Sequence, residues 1–254
     1  MTTEQRRYKN APITEAVIEI RVQRDGQAKT SELKVLAESL KKDFPKQAPM
    51  RLVTLGLAAG DAQQPDASFN QTLSQSQIGY RLANESGGRV LQLRSEGFAY
   101  SHLAPYSQWS QFRGEAKPLW DKYKTVYSDA KLARCALRYI NRIDIPGTKM
   151  ELEDYFRLYP KIPETLPHRD IVAMGMNIQI PQEDLQCMAV VIQGLIEPAR
   201  PGVFSVVLDI DIFRLGIQSW QDTELWEFLD KLRDRKNQIF EGCITDRTRE
   251  LIDQ

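Results

Sequence analysis

The chain has 254 residues, 34 Lys and Arg against 34 Asp and Glu, a formal charge of zero, and 42% hydrophobic and 27% charged residues. Such proportions belong to a globular protein with material for one large core or two small ones. They exclude a bulk electrostatic nucleic-acid binder, though not a local basic stripe. No apolar run approaches the ~18–20 residues of a membrane span. The polar start MTTEQRRYKN has no apolar signal core, so the expectation is a cytoplasmic protein that engages no membrane.

The first predicted element is a strand over Ile13–Gln23. Ala16, Ile18, Ile20 and Val22 share one face, and Glu15, Val17, Glu19 and Arg21 share the other, because strand side chains alternate. Asp25-Gly26 ends it. Thr30 or Ser31 then caps a helix with a Leu33, Leu36, Ala37, Leu40 stripe, stopped by Phe44-Pro45. Strands follow at Met50–Leu57, Gln77–Leu82, Arg89–Arg94 and Phe98–Leu103, with Gly87-Gly88 as a hairpin turn. The Gln/Ser-rich run 59–76 reads as a mobile loop. Trp109, Phe112, Ala116, Leu119, Trp120, Tyr123 and Tyr127 mark a second helix, which Pro118 should kink or delay.

Leu132–Ile145 is the longest strand candidate, ended by Pro146-Gly147. A short helix around Leu152, Tyr155 and Phe156 follows. Strands are predicted at Asp170–Ile180, Cys187–Leu195 and Val203–Phe213. An amphipathic helix starts near Asp222 and turns Leu225, Phe228, Leu229, Leu232, Ile239 and Phe240 inward. Its charged run from Asp230 to Lys236 suits a solvated face with i,i+4 pairs. Thr245 or Asp246 caps a terminal helix.

Strand, helix, several strands, helix therefore occurs twice, in 1–130 and in 131–254, with only a short polar joint between. The expected fold is α+β, a duplicated unit forming one curved antiparallel sheet backed by helices. This is the element order of the TATA-binding-protein fold, a likeness of fold alone. A helix-grip fold, with one long helix across a sheet, is the alternative.

Three segments carry a resemblance. The first is Tyr8-x-Asn10-Ala11-Pro12-Ile13-x-Glu15-Ala16-Val17-x-Glu19-Ile20-Arg21. The second runs Arg138-Tyr139-Ile140-Asn141-Arg142-Ile143-Asp144-Ile145-Pro146, then Asp154-Tyr155-Phe156. The third comprises Leu208-Asp209-x-Asp211-x-Phe213, Lys236-Asn237, Phe240-Glu241, Ile244-Thr245-Asp246 and Arg249-x-Leu251-Ile252. Together they frame the chain, and they resemble a sporadically distributed bacterial family of similar length to which no catalytic residues are assigned. The resemblance implies family membership without an activity, and the scattered distribution associates such a family with defence or toxin-control loci.

Known catalytic signatures are missing: there is no Gly-rich phosphate loop, no HExxH and no GxSxG. His102 and His168 are the two histidines, both near prolines at element ends, and read as surface or capping residues. Cys135, Cys187 and Cys243 lack metal or redox spacing and read as reduced thiols. The carboxylates say more. Asp209 and Asp211 leave one strand face together, and Arg138, Arg142 and Asp144 share a face of theirs. If the two long strands are central, the Glu19/Arg21 row lies nearby. Cross-strand salt bridges are the simplest outcome. A Mg²⁺ site built on Asp209 and Asp211 with Glu19 or Asp144, serving a hydrolase or nuclease, is the catalytic alternative. Lys131, Arg134, Arg138 and Arg142, with Arg81, Arg89 and Arg94, could also track a phosphate backbone.

The leading expectation is a recognition module without cofactor. It would grip a protein or nucleic-acid partner through Glu19, Arg21, Arg138, Arg142, Asp144, Asp209 and Asp211, with a homodimer as a further partner state. A third reading places a small ligand in a helix-grip cavity.

Overall fold

Period-two alternation decides the centre of the molecule. In the computed structural model, which describes residues 6–23, 30–58, 70–128, 130–216 and 221–254, strand β1 (Ile13–Gln23) pairs antiparallel with β6 (Lys131–Pro146). Ala16, Ile18 and Ile20 are fully buried on one face of β1, as are Leu137, Tyr139, Ile143 and Ile145 on β6. The two long strands predicted from their face patterns are thus neighbours in a single sheet. Asp25-Gly26, expected to end β1, lies outside the described residues.

From this seam each half follows the same route. After β1 and helix α1 (Thr30–Ser39), the chain crosses to the far edge and returns through β2 (Lys46–Ala58), β3 (Asn70–Ala83), β4 (Arg89–Arg94) and β5 (Gly97–Leu103), which lies against β1. Helix α2 (Trp109–Val126) then leads to β6. The short helix α3 (Leu152–Tyr155) precedes β7 (Gly175–Gln182), β8 (Cys187–Ile196) and β9 (Val203–Leu215), and β9 lies against β6. Helices α4 (Asp222–Cys243) and α5 (Asp246–Asp253) close the order. The result is one open nine-stranded antiparallel sheet, ordered β2-β3-β4-β5-β1-β6-β9-β8-β7 and continuous across the joint between the halves. No helix among the described residues is long and apolar enough to cross a membrane.

The helices cover one face only. Helix α2 lays Phe112, Ala116, Leu119, Trp120 and Tyr123 inward, and α4 lays Leu225, Trp226, Phe228, Leu229, Leu232 and Phe240 inward, each on a 3.6-residue stripe. They meet Ile18, Ile20, Leu137, Leu208 and Ile210 from the sheet, all fully buried. Each such side chain contributes ~1.5–3 kcal/mol of burial.

Three local expectations change. Residues 70–76, read as loop, belong to β3, where they extend the β2–β3 ladder as far as Ala58 opposite Asn70; residues 59–69 lie outside the described residues. Strand β7 starts at Gly175 instead of Asp170. Helix α2 runs on through Pro118, because Pro118 and Gly114 one turn earlier are both exposed, so the carbonyl left without its N–H faces water. The Gly87-Gly88 turn holds as read, Gly87 supplying the positive φ of 78°.

Candidate functional site

The face without helices carries the residues singled out from the sequence. Register sets Arg138 of β6 between Val17 of β1 and Asp211 of β9, Ile140 between Glu15 and Asp209, and Ala136 between Glu19 and Phe213. Glu19, Arg21, Arg138, Arg142, Asp144, Asp209 and Asp211 therefore lie together on one face of three adjacent strands.

Each of these seven charged groups is paired. Arg138 reaches past its direct partner to Asp209, with Nε donating to Oδ1 at 2.8 Å and to Oδ2 at 3.1 Å, and Nη2 donating to Oδ2 at 2.5 Å. This fork-on-carboxylate pair is the strong, directional form of an ion pair. It raises the pKa of Arg138 above its ordinary value, against the opposing effect of burial. Arg134 bridges two strands, donating to Glu19 on β1 and to Asp211 on β9 at 2.7 Å, while its guanidinium lies over the Phe213 ring. Glu19 also accepts from Arg94 at 2.8 Å and from Arg21 at 3.1 Å. At the far end of β6, Arg142 donates to Asp144 and to Ser205 Oγ at 3.0 Å each, and Ser205 donates to Asp144 at 2.5 Å.

Depth divides the row. Asp209 and Arg134 are sunk, with side chains 7% and 13% exposed, whereas Arg138 and Arg21 stand out at 45% and 47%. Burial holds the Asp211 carboxyl above the usual range despite the Arg134 guanidinium, and its Oδ1 has no hydrogen-bond partner among the described residues. Asp144 goes the other way: burial opposes its ionisation, but the bonds from Ser205 and Arg142 bring its pKa below the ordinary value. Glycine shapes the rim, because a Cβ on Gly97, between Arg94 and Arg21, would lie 2.7 Å from the Ile20 carbonyl oxygen.

The lattice is the cross-strand salt-bridge outcome. Asp209 and Asp211 spend their bonds on arginines, and no group of three or more His, Cys, Asp or Glu side chains suited to a metal ion occurs among the described residues. The phosphate-tracking stripe loses a member. Arg89 pairs in register with His102, turns to the helix side and donates to Glu115 at 2.8 Å.

His102 itself is a correction, because it is fully buried instead of capping or superficial. It sits against Phe112, Tyr100 and Tyr106, ring centroids 4.6, 5.5 and 6.2 Å away. Its Nε2 lies 2.7 Å from Glu115 Oε2, which also accepts from Tyr100 at 2.7 Å. Burial lowers the imidazole pKa; Nε2 faces the Glu115 carboxylate, and Nδ1 has no partner among the described residues. For Glu115, burial raises the pKa, but bonds from Arg89, Gln111, Tyr100 and His102 outweigh it and set the value at about 2. A carboxylate depressed in the folded state stabilises above its unfolded pKa, and that contribution disappears as pH falls through the folded one. Glu115→Gln should therefore cost ~1–2 kcal/mol at pH 7. The difference from wild type should shrink between about pH 4.5 and pH 2 in urea titrations.

A second polar group lies deeper on the helix side. Tyr106 and Tyr139 share a hydroxyl hydrogen bond of 2.9 Å, and the Lys236 ammonium of α4 stands 3.9 Å from the Tyr139 ring centroid. Lys236 is buried and has no carboxylate within ion-pair distance among the described residues. Burial brings its pKa down to about 7. The run containing Lys236 read as a solvated face; its spacing puts it on the stripe of Leu229, Leu232 and Phe240, and its charge hid the burial that this spacing signalled.

Parts of the segments that carry the family resemblance bond to one another. Tyr8 donates to Glu241 at 2.6 Å, Arg249 to Glu241 at 2.7 Å and to Asp246 at 2.6 Å, and Thr245 Oγ1 to the Asp154 carbonyl at 2.6 Å. These bonds tie the start of the described chain to α4 and α5, an architectural use. No family model, curated protein or solved structure matches the chain.

Proposed function

We propose that the chain is a non-enzymatic recognition module that grips a protein partner with the helix-free face of its sheet. The observation that carries this reading is the graded arginine–carboxylate lattice. Buried Asp209 and largely covered Arg134 fix the row, and half-exposed Arg138 and Arg21 present preorganised guanidinium groups to whatever lands on it. Preorganised side chains lose little entropy on binding, and arginine is a favoured interface anchor. A protein suits the face better than a nucleic acid, because the basic groups are matched by Glu19, Asp144, Asp209 and Asp211 and leave no continuous positive track for phosphates. The sheet then works as a saddle in the manner of the TATA-binding-protein fold, with a different kind of rider.

The test is capture from lysate of the source cells by wild type and by the Arg138→Ala/Arg142→Ala double variant at two salt concentrations. The expected result is a stoichiometric protein that binds the folded wild type, weakens with salt and is lost from the variant. Titration calorimetry with Mg²⁺ and Mn²⁺ provides the counter-test. A stoichiometric isotherm abolished by Asp209→Asn would replace this reading with a metal-dependent hydrolase.

A further inference from the structure

The two ends of the sheet are built differently. Strand β2, at one end, carries Lys46 and Arg51, charges of the kind that usually keep an edge from pairing with another chain. Strand β7, at the other end, reads GMNIQIPQ and holds no charged residue. Met176, Ile178 and Ile180 point to the helix side but are incompletely covered, Ile180 being 39% exposed, and Val172 just before the strand is 92% exposed. An uncharged edge strand with an apolar row is a template for another strand.

The backbone of that edge has a defined polarity. Pro181 has no N–H and pairs with Met188, so its nitrogen faces away from β8. The Met174 carbonyl accepts from the Leu195 N–H at 3.0 Å, one position beyond the Gly175–Gly194 pair. Antiparallel hydrogen bonding alternates. Even-numbered residues of β7 therefore bond to β8, while Gly175, Asn177 and Gln179 direct their N–H and C=O to the open edge.

We propose that this edge docks a second copy of the chain, the two β7 strands pairing antiparallel about a two-fold axis at Ile178. In that register Asn177 of one copy faces Gln179 of the other, and the pair exchanges two backbone hydrogen bonds. Ile178 faces Ile178, Met176 faces Ile180, and amides face amides on the opposite side. Each row meets its own kind, as an isologous interface requires, and the apolar row, only partly covered within one copy, becomes continuous across two. Pro181 lies opposite Gly175 at both ends of the register, where each missing N–H costs one bond at the margin. This surface is separate from the arginine lattice and does not depend on the function proposed for it.

Sedimentation velocity of the full chain and a cross-linking series test the proposal. Wild type should sediment as a dimer at about 100 µM and dissociate on dilution. Gln179→Pro removes an edge-directed N–H without touching the β8 ladder, so it should give a monomer with an unchanged far-ultraviolet spectrum. Ile178→Cys places two thiols in a non-hydrogen-bonded pair with Cα atoms about 4.5 Å apart, within disulfide reach. It should cross-link nearly completely under mild oxidant, whereas the exposed control Glu183→Cys should not; the three native cysteines are buried. A wild type that stays monomeric at that concentration overturns the proposal. So does a dimer in which Ile178→Cys fails to cross-link.

Discussion

Lys236→Met should stabilise the protein at neutral pH by about 1–4 kcal/mol, the range found when buried ion pairs give way to well-packed apolar side chains. Lys236 holds its ammonium on the Tyr139 ring, out of water, and its pKa falls to about 7. The unfolded chain keeps an ordinary lysine near 10.4. Between these values the unfolded state binds the extra proton, so wild-type stability rises with pH across this window. Below about pH 7 the penalty is complete and flat. Urea denaturation of wild type and Lys236→Met from pH 6 to pH 10 should therefore converge towards the alkaline end. Curves that run parallel across the range would show that the amine is solvated in the folded state. Methionine fits because its unbranched chain follows the lysine stem and keeps contact with the ring.

Arg134→Met should have the opposite sign, costing about 2–4 kcal/mol at pH 7 through the carboxylates it strands. Arg134 is the link between Glu19 of β1 and Asp211 of β9. Glu19 retains Arg94 and Arg21, but Asp211 loses its donor and already has a pKa raised by burial. Removing the guanidinium should raise it further. A carboxyl whose folded pKa lies above its unfolded one favours the folded state at lower pH. The variant should recover part of its loss between pH 7 and pH 5, measured by the same denaturation. The double variant Arg134→Met/Asp211→Asn should be less damaged than the single one, because the stranded charge is gone.

Much of this architecture is legible in sequence because it repeats locally. Alternation in Ile13–Gln23 and in the strand around Leu137 and Tyr139 gives both the central strands and the parity that puts Arg138 and Asp209 on one face. The Leu225, Leu229, Leu232 stripe gives the helix that covers the other face. Three features escape a reading by local repeat and residue type. The start of β3 has a Gln/Ser-rich composition without an apolar alternation, so it reads as loop. His102 is buried by a partnership with Glu115 on another element, and one residue of each kind leaves no pattern. Lys236 keeps the spacing of the α4 stripe, but its charge in a charged run reads as solvated, and its place on the Tyr139 ring is a tertiary contact. The specific pairings in the lattice are likewise tertiary. Parity shows that Arg138 and Asp211 share a face, but only the register shows that Arg138 reaches diagonally to Asp209.

The seam between β1 and β6 has a kinetic consequence. Ile18 pairs with Leu137 there, and each half reaches the other through this line of contacts. Within each half the meanders β3 to β5 and β7 to β9 join strands through short connections, whereas the seam must close a loop of more than a hundred residues. Long-range pairing is slow because closure entropy is spent before any contact rewards it. The two meanders are thus the natural early structures, and the seam is the late step that sets the folding rate. Substitutions along it, such as Ile18→Val, should slow folding, while substitutions in the turns of the meanders should leave the rate nearly unchanged.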